Sequence, residues 1–374
     1  MVWLVLSLVS LGLWIYFFLG RDDFWRCDQR LTGTGPEPAE WPSVVAVIPA
    51  RDEAETIRTT VGSLLAQDYP GNFRIVVVDD HSTDGTAAAA GQDDRLTVIS
   101  GTDLPEGWTG KLWAVHQGIA KAGETEPAFL LLTDADITHD AGNLKRLVMK
   151  AEADQLDLVS LMVRLSIASL WERLLIPAFV YFFQKLYPFP AVNNPNRRLA
   201  AAAGGCMLVR SRTLVERGGI QEIKGCVIDD CALGALMKRD GGRIWLGLAG
   251  RTHSSRAYDG LGPIWRMVAR TAFVQLDHSA LNLLGTVLGM AFIYVVPVAA
   301  FLLGGGLPTA VAGLTLILMV MLYHPTLRLY GLSPWWALTL PFAGLLYTLM
   351  TLDSARRHWM GLGNAWKGRS HPAS

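Results

Sequence analysis

The 374-residue sequence predicts an α/β domain carried between membrane helices. Three observations lead there. Five short runs rich in Val, Ile and Leu recur along the middle: VVAVIP (44–49), FRIVVVDD (73–80), LTVIS (96–100), FLLLTDAD (129–136) and LDLVSLM (156–162). Runs of this kind suit the strands of a mostly parallel sheet covered on both faces. Polar residues gather where these runs end, which is where open α/β sheets bind their ligands. Long apolar stretches flank the whole.

Residues 1–20 carry no charge, and about 20 apolar residues span a bilayer as a helix. A cleaved signal peptide would want a basic start and a small-x-small site, and neither is present. A retained anchor is expected. Arg21, Arg26 and Arg30 follow it, and the positive-inside rule then places the next segment in the cytoplasm. The tract TGTGPEPAEWP (32–42) reads as a linker, assigned to 21–41.

Within 42–278, Ile57, Val61, Leu64 and Leu65 have helical spacing, and Pro70 and Gly71 end that helix. Strand and helix then alternate as right-handed βαβ units. The stretch 169–190 is nearly membrane-like but holds Glu172, Arg173, Gln184 and Lys185. It reads as a helix in the membrane interface, with a buried core helix as the alternative. Apolar spans are expected near 281–303, 308–327 and 334–352, within a membrane region at 279–352 and before a polar tail at 353–374. The charges conflict: Arg328 puts one loop in the cytoplasm, and Arg356, Arg357, Lys367 and Arg369 would then lie outside. Two or three crossings are expected, one segment being re-entrant or interfacial. The placement is a bacterial-type inner membrane, multi-pass, with the α/β domain cytoplasmic.

Composition narrows the function. Equal numbers of acids and bases give no nucleic-acid footprint. Cys27, Cys206, Cys226 and Cys231 have no metal-knuckle spacing and read as reduced packing residues. The chemistry sits at strand ends. In an extended chain residues i and i+2 point the same way, so Asp134 and Asp136 aim two like charges at one spot. A cation, or exposure to water, would relieve them. Lys111 follows a glycine and suits a diphosphate as a compact point charge. Asp229 and Asp230 open a helix-like stretch, where the dipole would keep a carboxylate ionised and lower its basicity. Gly204 and Gly205 permit close backbone approach, to a donor sugar or in a plain turn. His253 and Arg256 are placed at a diphosphate or metal. Arg266 and Arg270, i and i+4, share a helix face for lipid phosphates or the donor's diphosphate.

The motifs IPARDE, VVVDDHSTDGT, TDAD and IDD, in that order, resemble the family 2 glycosyltransferases, whose fold is GT-A, a Rossmann-like mixed sheet that binds nucleotide-sugars. The stretches GWTGKLWA (107–114), LIPAFVYFFQKLYPF (175–189) and WRMVARTAF (265–273) resemble a narrower group, the glycosyltransferases associated with hopanoid biosynthesis. The resemblance implies that Asp136 ligates Mg²⁺ or Mn²⁺ with Asp134 near the ribose and metal. It implies that Asp79 or Asp80 contacts the base, that Pro49, Ala50 and Arg51, with Glu53 beside them, lie along the nucleoside, and that Asp230 is the catalytic base with Asp229 as its neighbour. Trp265–Arg266 stands where processive members have Q-x-x-R-W, which argues against a long polymer product. The expected activity is non-processive, inverting transfer from a nucleotide-sugar, UDP-linked, to a membrane lipid such as a hopanoid. A polyprenyl phosphate or a cell-surface glycan is the alternative acceptor. A nucleotide-sugar sensor partnered with a transporter is a third reading, and the intact acids at 134, 136 and 230 speak against it.

Overall fold

The structure is a computed structural model and describes residues 1–33, 35–362, 365–366 and 369–370. Thr34 of the expected linker and the rest of the expected polar tail, Lys367 included, lie outside the described residues.

Helix α1 (Val2–Leu19) is followed by β1 (Val44–Ala50), α2 (Ile57–Leu65), β2 (Phe73–Asp79), β3 (Leu96–Ser100), α3 (Gly110–Gly123), β4 (Phe129–Thr133), β5 (Ile137–Thr138), α4 (Asn143–Ala153) and β6 (Leu158–Arg164). Then come α5 (Leu170–Leu186), β7 (Cys206–Arg210), α6 (Asp229–Lys238), β8 (Ile244–Ser254) and α7 (Leu261–Thr271). Three long helices follow: α8 (Ala280–Leu303), α9 (Gly306–Leu329) and α10 (Leu340–Trp359).

These eight strands form one sheet in the order β3-β2-β1-β4-β7-β6-β8-β5. β1 is buried at every residue and pairs in parallel with β2 and β4, as a Val/Ile run sandwiched between layers must. β7, and the two-residue β5 that pairs antiparallel with β8, depart from a parallel sheet, and β7 does so at its centre. β7 runs antiparallel to β4 and to β6, and sets Cys206 opposite Thr133. The sequence reading assigned no strand to β7 or β8. CMLVR is short and follows a glycine pair, so it looks like the exit of a turn. Its burial is decided by two neighbours far away in sequence.

Two chain segments depart from expectation. The linker is not free of the domain. Phe24 and Cys27 are buried, the N–H of Leu248 donates to the Gln29 carbonyl at 2.7 Å, and Cys27 Sγ lies 3.4 Å from Thr326 Oγ1. The helix expected to lie in the membrane interface is mostly buried. In α5, Ile176 and Val180 join the α/β core, and Leu175, Ala178 and Tyr181 join a second core among the apolar helices. A capping box starts it, with Ser169 Oγ accepting from the N–H of Glu172 and the Glu172 carboxylate accepting from the N–H of Ser169. The other Glu172 oxygen accepts from the N–H of Tyr258 at 2.8 Å, which ties α5 to the segment before α7.

Among the described residues four helices, α1, α8, α9 and the stretch holding α10, are long and apolar enough to cross a membrane. α1 runs parallel to α9, with Ser7 near Pro308 at one end and Cys27, just past α1, near Thr326 at the other. Their outward faces expose Val5, Leu8, Leu302, Leu314 and Ile317, an apolar surface that water would not tolerate at this size.

Candidate active site

The sheet brings its polar strand ends to one edge. β4 delivers Asp134 and Asp136, β1 delivers Pro49 to Glu53, β2 delivers Asp79 and Asp80, and the first turn of α6 supplies Asp229 and Asp230. Pro49, Lys111, Asp134, Gly204 and Asp229 line one small cavity. Next to it a cavity of about 460 Å³ is bordered by Lys111, Asp134, Asp136, Gly204, Gly205, Asp229 and Asp230 at its polar end. The acids named from separate parts of the sequence thus share a cleft.

Their charges are arranged around two cationic side chains. Lys111 Nζ sits 2.9 Å from Asp134 Oδ1 and 3.0 Å from Asp229 Oδ2. Burial opposes the charge on Lys111, but attraction to Asp134 and Asp229 outweighs it and lifts the ammonium above the ordinary lysine range. Asp134 is pushed up by burial, with Lys111 opposing and Asp136 adding repulsion. Arg256 joins Asp136 Oδ2 at 2.9 Å to Glu53 Oε1 at 2.6 Å, and Ser254 Oγ donates to the same Asp136 oxygen at 3.0 Å.

Asp230 is built differently. Its Oδ2 accepts from the N–H of Gly204 at 3.0 Å and its Oδ1 from the N–H of Cys231 at 2.7 Å. Burial, then repulsion from Asp229, push its carboxyl up to about 6. The sequence reading expected the helix terminus to lower its basicity. Desolvation and a neighbouring acid win over the dipole, and they leave a carboxylate closer to neutral pH, where a general base is most effective.

Two oxygens, Asp134 Oδ2 and Asp136 Oδ1, accept no protein hydrogen bond among the described residues. No three Asp, Glu, His or Cys side chains converge at ligand distances among them either. The donor set therefore fits a hard cation held by one or two carboxylates and completed by substrate phosphate oxygens, the usual arrangement for Mg²⁺. His253 does not belong to it. The side chain of His253 is exposed with Nδ1 at the carbonyl of Arg251, while Ser254, next along β8, faces Asp136. Strand alternation turns residue 253 away from the cleft.

The remaining residues divide in the same manner. Arg51 Nη1 donates to the Asp80 carbonyl at 2.6 Å, and Asp80 is fully buried. Ala50 is buried at the end of β1, and the N–H of Asp80 donates to its carbonyl at 2.8 Å. Asp79 is half-buried at the end of β2. A Cβ on Gly204 would stand 3.5 Å from Lys111 Nζ, and one on Gly205 would press Val163 at 2.9 Å, so the second glycine answers to packing. Arg270 lines the large cavity; Arg266, one turn earlier on α7, is exposed and does not.

A buried polar chain supports this edge from behind, and the sequence reading missed it. Asn143 Nδ2 lies 3.0 Å from His139 Nδ1, and His139 Nε2 lies 3.0 Å from Thr133 Oγ1. Thr133 in turn donates to the Gly205 carbonyl at 2.7 Å. The amide donor assigns the proton to Nε2, so the imidazole is neutral, and burial pushes its pKa down to about 4. The chain ties the strand that carries Asp134 to the glycine turn that holds Asp230. The only hint in the sequence is polar density, Thr133, Thr138 and His139 around the D-A-D motif. Thr133→Val leaves two buried groups unpaired, each costing about 1–3 kcal/mol. The expected result is a drop in turnover of about tenfold with donor affinity unchanged, and recovery in Thr133→Ser; initial rates and nucleotide titrations on both variants check it.

Residues 45–218 match the model of Glycosyl transferase family 2. The chain carries a family 2 glycosyltransferase domain. It is 36% identical over 97 residues, 26% of this chain and 24% of that one, to a 4,4'-diaponeurosporenoate glycosyltransferase of Staphylococcus aureus strain bovine RF122 / ET3-1. The strain USA300 protein of the same name is 35% identical over the same length. The match spans about a quarter of the length of these relatives. Among solved structures, the mannosyltransferase PcManGT of Pyrobaculum calidifontis, in complex with GDP-Man and Mn2+, superposes with a TM-score of 0.60. It is 18% identical and the superposition covers 98% of this chain and 99% of that one. The likeness shows a shared GT-A fold. In the family 2 glycosyltransferase domain described here, the D-A-D pair and the α6 acids therefore occupy the edge of a GT-A sheet.

Away from the acids the large cavity becomes apolar. Phe179, Phe182 and Phe183 of α5, Met267 and Val268 of α7, Met290 of α8 and Tyr347 of α10 form its walls. One continuous space therefore connects the carboxylates to helices apolar enough to enter a membrane.

Proposed function

We propose that this chain is a membrane-bound, non-processive, inverting glycosyltransferase that moves a sugar from a UDP-linked donor to a lipid acceptor, a hopanoid or related isoprenoid lipid. The observation that carries the reading is the continuous cavity, acidic at one end and walled by apolar helices at the other. A soluble acceptor has no use for such walls. The relatives' name gives 4,4'-diaponeurosporenoate as what they glycosylate, in keeping with an acceptor of this class.

In this reading the acceptor lies in the apolar part with its hydroxyl at Asp230. The hydroxyl oxygen attacks the anomeric carbon opposite the diphosphate. The bond from that carbon to the diphosphate oxygen breaks, its electron pair leaves with the nucleoside diphosphate, and the hydroxyl proton passes to the Asp230 carboxylate. Lys111 stands where the leaving group gains charge. A divalent cation at Asp136 and Asp134 would supply Lewis-acid neutralisation of that diphosphate. Asp80, with Arg51 and Asp79, is assigned to the nucleoside, and Arg270 to phosphate oxygens at the border of the apolar part. The catalytic domain is assigned to the cytoplasmic side, where the basic residues gather.

The test uses the full chain in bilayer nanodiscs with Mn²⁺, a panel of radiolabelled UDP-sugars and total lipid from cells lacking the protein. Label is expected in the organic phase, on one neutral isoprenoid lipid. Label only on a polyprenyl phosphate would replace the acceptor named here, and label confined to water-soluble product would overturn the lipid reading.

A further inference from the structure

Helix α10, within an apolar stretch long enough to cross a membrane, has both ends on one side of the molecule. It is entered from residues that touch the α/β domain: Tyr330 is buried in the domain's core with the Arg164 guanidinium 5.7 Å from its ring centre, and Thr326 meets Cys27. At the other end Trp265 Nε1 of α7 donates to Asp353 Oδ2 at 2.9 Å, and the N–H of Phe273 donates to Ser354 Oγ at 3.0 Å. The His358 ring stacks on His278, 4.2 Å away, where the chain leaves the domain for α8. A helix of this length that crossed a bilayer would set its ends about 30 Å apart on opposite faces.

What α10 packs against agrees. Its Tyr347 hydroxyl donates to the Leu175 carbonyl of α5 at 2.9 Å, and its ring meets Phe182 at 5.0 Å. On the opposite face Phe342, Leu345, Leu349 and Leu352, spaced as one helical stripe, are exposed, and Trp335 and Trp359 stand exposed near the two ends. Indoles in such places suit a membrane–water interface. The charge conflict noted in the sequence also disappears. Arg21, Arg26, Arg328, Arg356 and Arg357 all come to the domain side, and the turn between α8 and α9 at Gly304–Gly305 carries no charge.

We infer that α10 lies in the plane of the membrane with its leucine stripe against lipid, and that it forms the floor of the acceptor cavity through Tyr347, Thr348 and Thr351. The chain then crosses three times, by α1, α8 and α9, and the end of α10 lies on the side of the catalytic domain. The floor rests on the lipid-acceptor reading above; the placement does not.

Cysteine labelling with a membrane-impermeant maleimide tests the placement, in a background with Cys226 and Cys231 replaced by Ser. In intact and lysed cells Leu362→Cys is expected to label with Glu124→Cys on the α/β domain, and opposite to Leu303→Cys at the end of α8. Labelling of Leu362→Cys together with Leu303→Cys would overturn the in-plane helix. For the floor, Thr348→Trp is expected to lower transfer from a radiolabelled UDP-sugar to membrane lipid at least tenfold, with donor affinity and labelling pattern unchanged. Undiminished transfer would remove α10 from the acceptor site. A wild-type chain that transfers no sugar to lipid would sink the acceptor reading and the floor with it, while the labelling pattern still decides where α10 lies.

Discussion

Asp230→Asn is expected to lower turnover by about 10²–10⁴-fold, the range a positioned general base contributes, and to leave nucleotide-sugar affinity within about threefold. The amide keeps one oxygen, which serves the N–H of Gly204 and keeps the glycine turn docked on α6, and gives up only the bond from the N–H of Cys231. What disappears is the ability to take the acceptor's proton. The same group predicts the acid limb of the pH profile. A base whose carboxyl is pushed up to about 6 is protonated below that pH, so turnover should fall as pH drops through about 6 and level off above it. Because Asp229 interacts with it, the limb belongs to the pair. Retained turnover in the variant, or an acid limb unchanged between variant and wild type, would remove Asp230 from the role of base.

Lys111→Met is the second large effect. It deletes the ammonium shared by Asp134 and Asp229 and leaves neighbouring carboxylates facing one another. Breaking a buried pair costs about 3–5 kcal/mol, and the partial exposure of Asp134 brings the expected loss nearer 2 kcal/mol. Turnover should fall by about a hundredfold or more, as one charged donor at a developing anion is removed. The sign of the metal effect separates this from simple misfolding. With the lysine gone the carboxylates are less neutralised, so Mn²⁺ should raise the thermal midpoint of the variant more than that of the wild type, without restoring turnover. Equal shifts in the two proteins would mean that Lys111 does not compete with a cation for these oxygens.

The pattern of the sequence carries a good part of this site and stops at identifiable places. Four of the five Val/Ile/Leu runs become strands that the sheet buries on nearly every residue, which leaves little choice of residue type, and the fifth, β3, is the half-buried edge. Asp134 and Asp136 stand out because acids at the end of such a run need a partner; Asp230 is marked by its place at the start of a helix-like stretch and by the IDD motif's resemblance to the family pattern. The antiparallel β7 was not legible, since CMLVR becomes a strand only when Thr133 and Ser160 flank it. Nor was the direction of His253, which depends on which face of β8 meets Asp136. The bond from Tyr258 to Glu172 spans 86 residues, and no local pattern announces it. The charges called for one re-entrant or interfacial segment, but which of the three it was stayed hidden for the same reason: the composition of α10 satisfies a crossing, and contacts at both of its ends point the other way.

The stitching of residues 24–30 has a practical consequence for anyone seeking a smaller, water-soluble catalyst. Cutting the chain ahead of β1 looks harmless on paper, because a Gly/Pro-rich tract sits there. It would strip Phe24 from Tyr181, Cys27 from Thr326 and the extra bridge from the rim of β8, and open α5 on a face it keeps dry. Such a fragment should aggregate, and a productive miniaturisation would have to keep residues 24–30 or redesign the exposed aromatic face first.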